Sequence, residues 1–361
     1  VGESDQGEMG PVKITDLARR LGIDKSTVSR ALNKRPGVAA KTRERISRVA
    51  REMGYSPNVH GQQLRGGKST TLGLVLGTNV ANFEPHFFGP FTLQLYRAAS
   101  DRGYDLLILS DQHHPDENIA DVIARRGSIG SILLGEQSTQ VLEAMSGSGI
   151  PCVQLDNYAR DFPTIDFVTS ENQSGSHMAT QHLLDLGHCH LSFIGDSNLD
   201  YGPGSPAGKQ GLNPLYERYT GFRQALAAVG LKEIVADVEG SFQDYVRELL
   251  TQAKPPTAIV AVSDSAAADV AEIARAAGIE IPADLSLTGF DDVDSRLVES
   301  LQLTTIHVSQ AVQAEIAIDI ILNHDPGRTE RLEHRVATDL IVRTSTAPPS
   351  LQSPPGTVLL P

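Results

Sequence analysis

From Leu72 onward the chain repeats one alternation, a short apolar run followed by an amphipathic stretch. Residues 72–76, 105–109, 131–134 and 152–155 read as buried strands, with helices near 93–102 and 120–126 between them. A second series follows, with strands at 191–194, 234–238, 258–262 and 285–290 and helices near 174–186, 219–229, 245–252 and 266–277. Strands this uniformly apolar suit burial on both faces, and helices between successive strands impose parallel pairing. Two such series in succession predict two parallel-sheet subdomains. After Leu303 a strand, a helix over 309–322 and a last strand near 339–343 remain.

Parallel strands end at the same edge of their sheet, so the residues just after each apolar run are where a ligand would be met. Asp156, Asp264 and Asp291 stand there. Carboxylates accept hydrogen bonds from hydroxyls, and Arg218, at the predicted start of a helix in "RYTGF", donates a fork of them, which suits a polyol in a cleft. Each residue also has a plainer reading: Asp264 and Asp291 as helix caps, Arg218 as a surface cation.

The net charge of −13 conceals an asymmetry. Residues 11–70 hold 14 Lys or Arg against 4 Asp or Glu, residues 1–10 carry −3, and residues 71–361 carry −20. A basic head on an acidic body binds a polyanion through the head while the body limits non-specific adhesion. No run of apolar residues reaches membrane-spanning length, and residues 1–10 lack the apolar stretch of a secretory signal, so the expected location is the cytoplasm. The two cysteines, Cys152 and Cys189, exclude a disulfide scaffold and read as small reduced core residues.

Within the head, Ile14, Leu17, Ala18 and Leu21 recur at helical spacing, with Thr15 as predicted N-cap and Gly22 as the stop. Asp24 caps a second helix in which Val28, Ala31 and Leu32 face inward, leaving Lys25, Ser26, Ser29, Arg30 and Asn33 outside. A third helix is predicted after Thr42, with Ile46, Val49, Ala50 and Met53 inward and Arg43, Arg45, Arg48 and Arg51 outward. The spacing Ala18, Gly22, Val28 is that of a helix-turn-helix. Its second helix would enter the major groove of DNA, with Arg30 on a guanine edge, Lys25 and Ser26 near neighbouring bases, and Thr27, Ser29 and Asn33 on phosphates. The plainer alternative is a small helical bundle with a solvated basic face.

The pieces "TVSRALN", "TRERI", "GYSPN", "LGH", "GFDD" and "LTTI" stand in the order found in the LacI/GalR family of bacterial repressors, and almost the whole chain resembles that family. The resemblance implies an all-α helix-turn-helix head joined by a hinge helix to an α/β body like the periplasmic sugar-binding proteins, its two subdomains joined by crossing segments. It implies a tail over 1–10, a DNA-binding domain over 11–56 that includes Thr15, and a hinge helix and linker over 57–70. It further implies a body over 71–346, whose N-subdomain takes 71–172 and 305–328 and whose C-subdomain takes 173–304 and 329–346. In the hinge, Leu64 matches the leucine wedged into the minor groove and Gln63 adjoins it. Gly61 stands where the family has alanine, which makes the hinge harder to order by roughly 1 kcal/mol. Arg218 and Asp291 match the family's effector-holding pair. Phe87 and Phe88 match its aromatic pair after the first strand, and Phe242 matches a ring over the ligand. Ser263 replaces an asparagine common in sugar-responsive members, the chain has no tryptophan, and the loop 197–214 is long and rich in Gly and Pro.

Other motifs fail. "GGKST" lacks the first P-loop glycine, since Gln62 stands there; "GPGSPA" has two prolines and no adjoining strand and helix; His188, Cys189 and His190 alternate faces without a second ligand pair. No nucleophile, base and orienter assemble, and no metal or cofactor is called for. The expected protein is a cytoplasmic homodimer, independent of membranes, that binds double-stranded operator DNA and a small effector, a sugar or nucleoside-like compound. The tail 347–361, with five prolines and no heptads, is expected to be disordered and to add no tetramer-forming bundle. The alternatives are a solute-binding receptor and a sugar- or nucleotide-processing enzyme with a DNA-binding appendage.

Overall fold

The computed structural model describes residues 14–32, 36–53, 69–77, 85–110, 117–195, 213–236, 241–293 and 296–350, in two compact units divided at Ser69 and Thr70. Asn33, Gly61, Gln63, Leu64, the hinge at 57–68 with the first three residues of "GGKST", the whole of "GPGSPA", the expected tail at 1–10 and residues 351–361 of the expected tail at 347–361 lie outside the described residues.

The first unit is three helices, α1 (Ile14–Leu21), α2 (Lys25–Leu32) and α3 (Ala40–Glu52). Leu17, Leu21, Val28, Ala31, Ile46 and Ala50 form its core, one apolar stripe from each helix. The chain turns between α1 and α2 at Gly22, whose φ of 68° is left-handed backbone that favours glycine. Asp24 then accepts the Ser26 amide at 2.7 Å and satisfies a free donor of α2. Two sequence expectations shift. Thr15 lies within α1, one residue past its start, so it is not the cap, and α3 begins at Ala40, before Thr42.

In the second unit, β1 (Thr71–Leu76), β2 (Asp105–Ser110), β3 (Ser131–Leu134), β4 (Cys152–Leu155), β5 (Asp166–Ser170) and β10 (Glu333–Val336) form one sheet in the order β10-β5-β4-β3-β1-β2. Every pair in it is parallel. Successive side chains alternate between faces: Leu72 and Leu74 pack with helices α4 (Pro85–Asp101) and α12 (Gln310–Leu322), whereas Val75 packs with α5 (Ile119–Arg125) and α6 (Thr139–Gly147). Cover on both faces is why the strands read as unbroken apolar runs.

The other sheet is β11-β9-β8-β7-β6, from β6 (Leu191–Ile194), β7 (Ala258–Ala261), β8 (Ser286–Asp291), β9 (Thr304–Val308) and β11 (Thr338–Ile341). It is parallel except for β11, which runs antiparallel along β9. Helices α7 (Asn172–Asp185), α8 (Pro214–Ala228), α9 (Phe242–Thr251) and α10 (Asp264–Ala276) contribute Leu183, Phe222, Val246 and Val270 to its core. A short helix, α11 (Arg296–Leu301), precedes β9.

Several expectations need correction. Residues 234–236 are not a strand: Ile234 only donates to the Leu191 carbonyl and accepts from Ser192, beside the edge of β6. Strands β5 and β10 and helices α6 and α11 add to the elements that the sequence pattern predicts. The crossings between lobes fall later than residues 305 and 329. Strand β9 pairs with β8, the chain crosses at Ser309 so that α12 packs on the first sheet, and it returns after β10, at Ala337. Cys189 is exposed, whereas Cys152 is buried as expected. The expected tail begins with a fixed residue: Ala347 donates to Ser286 and its carbonyl accepts from the same hydroxyl.

Helices α7 and α8 pack so closely at Gly221 that a Cβ there would strike the Gln173 carbonyl and meet the His177 amide. In an open helix Gly→Ala stabilises by roughly 1 kcal/mol, but overpacking against backbone costs about 1–3 kcal/mol. Gly221→Ala should therefore lower the body's stability in urea unfolding; an unchanged or raised midpoint would contradict this packing.

Candidate functional site

On the head, α2 turns Val28 and Ala31 inward and leaves Lys25, Ser26 and Arg30 exposed, with Thr27 and Ser29 half-buried. Thr15 is exposed on α1. Among the Arg residues expected outward on α3, Arg45 and Arg48 are exposed and Arg43 is half-buried. Asp24 at the start of α2 is held below the usual carboxylate range by its hydrogen bonds to Ser26. It stays ionised near the α2 N-terminus, where negative charge is favourable.

In the body, the residues after the parallel strands converge. Asp291 ends β8, and Arg218, the fifth residue of α8, forms an ion pair with its Oδ1 at 2.9 Å. Arg218 is only 3% exposed and Asp291 6%. Burying a guanidinium requires partners for its N–H groups. Its Nε donates to Asn172 Oδ1 at 2.9 Å, Nη1 donates to the Val262 carbonyl at 2.8 Å, and its plane lies 3.7 Å from the Phe290 ring centre. Asn172 is itself fixed, donating to the Ser170 carbonyl at 3.0 Å. Arg218 thus spans the end of β7, the end of β8 and the first crossing between lobes.

Asp264 opens α10, but Ser263 caps that helix by accepting the Ala266 amide. The Asp264 carboxylate instead accepts the Thr305 hydroxyl at 2.5 Å and the Val293 amide at 2.9 Å, tying β9 and the segment after β8 to β7. Burial, and then the charge of Asp291, push Asp264 up to about 8. Burial raises Asp291 to about 7 against the pull of Arg218, with Asp156 adding to the rise. Asp156 follows β4 with φ 56°, and its charge acts on Asp291 from the other lobe.

The aromatic candidates sit differently. Phe87 and Phe88 lie in the first turns of α4, edge to face at 5.1 Å, and Phe87 is buried in the first lobe's core. Val293, two residues past Asp291, packs against that core and the second lobe's alike. Phe242 begins α9 behind the capping box of Ser241 and Asp244, and it packs on the second lobe's core. The structure thus joins Arg218, Asp291, Asp264 and Asp156 electrostatically. Phe87 and Phe88 serve the first lobe's core, and Phe242 the second's.

Sequence reasoning misses Asn172, the Val262 carbonyl and Thr305. Asn172 is hidden because β5, which places it, does not stand out as an apolar run. The long loop before α8 ends at Asn213, which caps that helix through the Tyr216 amide; residues 196–212 lie outside the described residues. His188 is no free ligand: Nδ1 lies 2.9 Å from Thr257 Oγ1, and Nε2 lies 3.0 Å from Ser286 Oγ and 2.9 Å from the Ala347 carbonyl. Among the described residues no group of three His, Cys, Asp or Glu side chains is placed to hold a metal ion. Nor is any helix among them long and apolar enough to cross a membrane.

Residues 13–58 match the family described as bacterial regulatory proteins, lacI family, and residues 180–346 match the periplasmic binding protein-like domain. Through residues 13–58 the chain carries the regulatory domain of the lacI family. Among its relatives, the HTH-type transcriptional regulator DegA of Bacillus subtilis is 28% identical over 354 residues, covering 93% of this chain and 98% of DegA. The HTH-type transcriptional repressor PurR of Glaesserella parasuis is 27% identical over 349 residues, covering 92% and 97%. The lac repressor dimer bound to operator and the anti-inducer ONPF shares this LacI-family fold, with a TM-score of 0.76 at 22% identity over 94% of this chain and 100% of that one. The transcriptional regulator CelR in complex with cellobiose matches with a TM-score of 0.60 at 25% identity over 92% and 99%.

Asp264 makes stability depend on pH. Its folded value lies above the ordinary one, so its contribution is complete below about pH 4 and is lost as pH rises through about 8. Asp264→Asn removes that titration. From about pH 5 to about pH 9 the melting temperature of the variant should gain several degrees on that of the parent. A gap between the two that does not change with pH would contradict the buried carboxyl.

Proposed function

We propose that this LacI-family regulator represses transcription from an operator read by α2, and that a small effector held between the lobes of the body sets its affinity for that operator. The observation that carries the reading is the Arg218–Asp291 pair, a buried guanidinium and carboxylate at the ends of parallel strands, in a chain whose other unit exposes a basic helix-turn-helix. Arg218 has two N–H groups beyond the three engaged by Asn172, Val262 and Asp291, and Asp291 retains a second oxygen. Adjacent hydroxyls of a sugar or nucleoside suit that set of donors and acceptors. Asp156 and Asp264 complete the polar surround.

On DNA, Arg30 reads a guanine edge, Lys25 and Ser26 reach neighbouring bases, and Thr15, Thr27, Ser29 and Asn33 hold phosphates. Gln63 and Leu64 belong to the hinge that enters the minor groove. A two-fold operator requires two heads, which assigns a homodimer, and a DNA-bound regulator works in the cytoplasm. Solved relatives support both halves of the reading: one structure holds the lac repressor dimer on operator, and another holds CelR with cellobiose.

Arg30→Ala should cost about 1–3 kcal/mol of specific operator binding and flatten base preference at one position in each half-site. Electrophoretic titration on a randomised half-site measures it, and unchanged preference removes Arg30 from base reading. For the cleft, a panel of neutral sugars and nucleosides is screened by thermal shift and by operator binding on the same samples. Arg218→Ala should abolish the response to whichever compound acts on the parent, because buried polar contacts are lost. A variant responding with the parent's midpoint would place the effector elsewhere.

A further inference from the structure

Next to Arg218 on α8, Glu217 is a second buried charge that the proposed effector site does not use, only 3% exposed. Its carboxylate faces groups of the other lobe. Arg335 on β10 donates Nη1 to Oε2 and Nη2 to Oε1, each at 3.0 Å, in a forked pair. Tyr158, in the turn after β4, donates its hydroxyl to Oε2 at 2.5 Å, and Arg160 stands 4.0 Å from Oε1. The Tyr158 ring packs edge-on against Phe167 of β5 at 5.0 Å, and the Arg160 and Arg335 guanidiniums lie 5.0 Å and 5.5 Å from its centre. Burial and the neighbouring Glu217 push the Tyr158 hydroxyl upward, so it remains a donor.

Three first-lobe side chains thus converge on one carboxylate of the second lobe. A buried carboxylate stripped of such partners is strongly unfavourable, so any separation of the lobes at this edge must first rehydrate Glu217. Arg218 differs in kind: its bonds to Val262 and Asp291 stay within its own lobe, and Asn172 lies at the crossing. Opening would break the contacts of Glu217 and spare those of Arg218. Consecutive residues on one helical turn move together, so whatever fixes Glu217 also fixes where Arg218 stands relative to the first lobe.

We propose that Glu217 is a positioning residue: with Tyr158 and Arg335 it latches the first turns of α8 to the first lobe, holding this edge of the cleft shut and Arg218 in register before any ligand arrives. Its bearing on the effector response rests on the function proposed for the cleft; the latch itself does not. A cleft already closed spares the ligand the cost of closing it, and apparent affinity falls in proportion to the closed fraction once the latch is cut.

The test uses the full chain without ligand or DNA. In a Cys189→Ser background, nitroxides are attached through Glu143→Cys on α6 and Glu272→Cys on α10, exposed positions on the two lobes, and pulsed electron resonance gives the distance between them. The parent should show one narrow distribution. Tyr158→Phe keeps the ring on Phe167 and removes only the hydroxyl; it and Glu217→Gln should each lengthen and broaden the distribution. The swapped pair Glu217→Arg with Arg335→Glu should restore it. Amide exchange at 216–218 should rise roughly tenfold in the two single variants while that at 222–226 stays unchanged. Distributions identical to the parent's in both single variants, or exchange rising equally in the two stretches, would overturn the latch. Because no ligand is present, either result holds whether or not the cleft is the effector site.

Discussion

Parallel pairing is the constraint on which the body depends. Parallel strands gather their carboxyl ends at a single edge of the sheet, and two sheets that are parallel except for β11, joined by three crossings, place those edges beside the same connecting segments. Asp156, Asp264, Asp291 and the Val262 carbonyl are thereby brought to one region without any local sequence signal connecting them. Asn172, Ser309 and Ala337 mark the crossings. Gly221, where α7 touches α8, shows how little slack the second lobe has around Arg218.

Two buried charges at consecutive positions divide the work. Arg218 is neutralised within its own lobe and stacked on Phe290, which fixes the position of its guanidinium. Glu217 is neutralised from the opposite lobe and responds to separation. Desolvating such charges is costly unless each is paired, which makes their geometry discriminating rather than merely stabilising. The head obeys a simpler rule, in which one apolar stripe per helix builds the core and the opposite face is left polar and basic.

Much of this is legible in the sequence. Strands β3, β4 and β6 carry Ile, Leu, Val and Phe because helices cover both their faces, and the residue that follows one such run, Asp291, is the partner of Arg218. Strand β5 escapes notice because "DFVTS" looks polar; Asp166 is nevertheless buried, bound by Arg328 and the Leu332 amide from far along the chain. The crossings implied by the resemblance fall too early because β9 satisfies its hydrogen bonds on β8, a tertiary choice that hydrophobic periodicity does not encode. Glu217 is inconspicuous for the same reason, since Arg335 lies 118 residues away.

In the proposed function one chain couples DNA affinity to occupancy of its cleft. Linkage requires that a ligand altering operator affinity by some factor have its own affinity altered by the same factor when operator is bound. The decisive measurement is therefore a pair of titrations on the parent chain: operator duplex with and without a saturating neutral sugar or nucleoside chosen from the panel, and that compound with and without saturating duplex. The proposed linkage requires equal factors, about 5- to 150-fold, in the two titrations. A compound that binds the cleft and leaves operator affinity unchanged would contradict it.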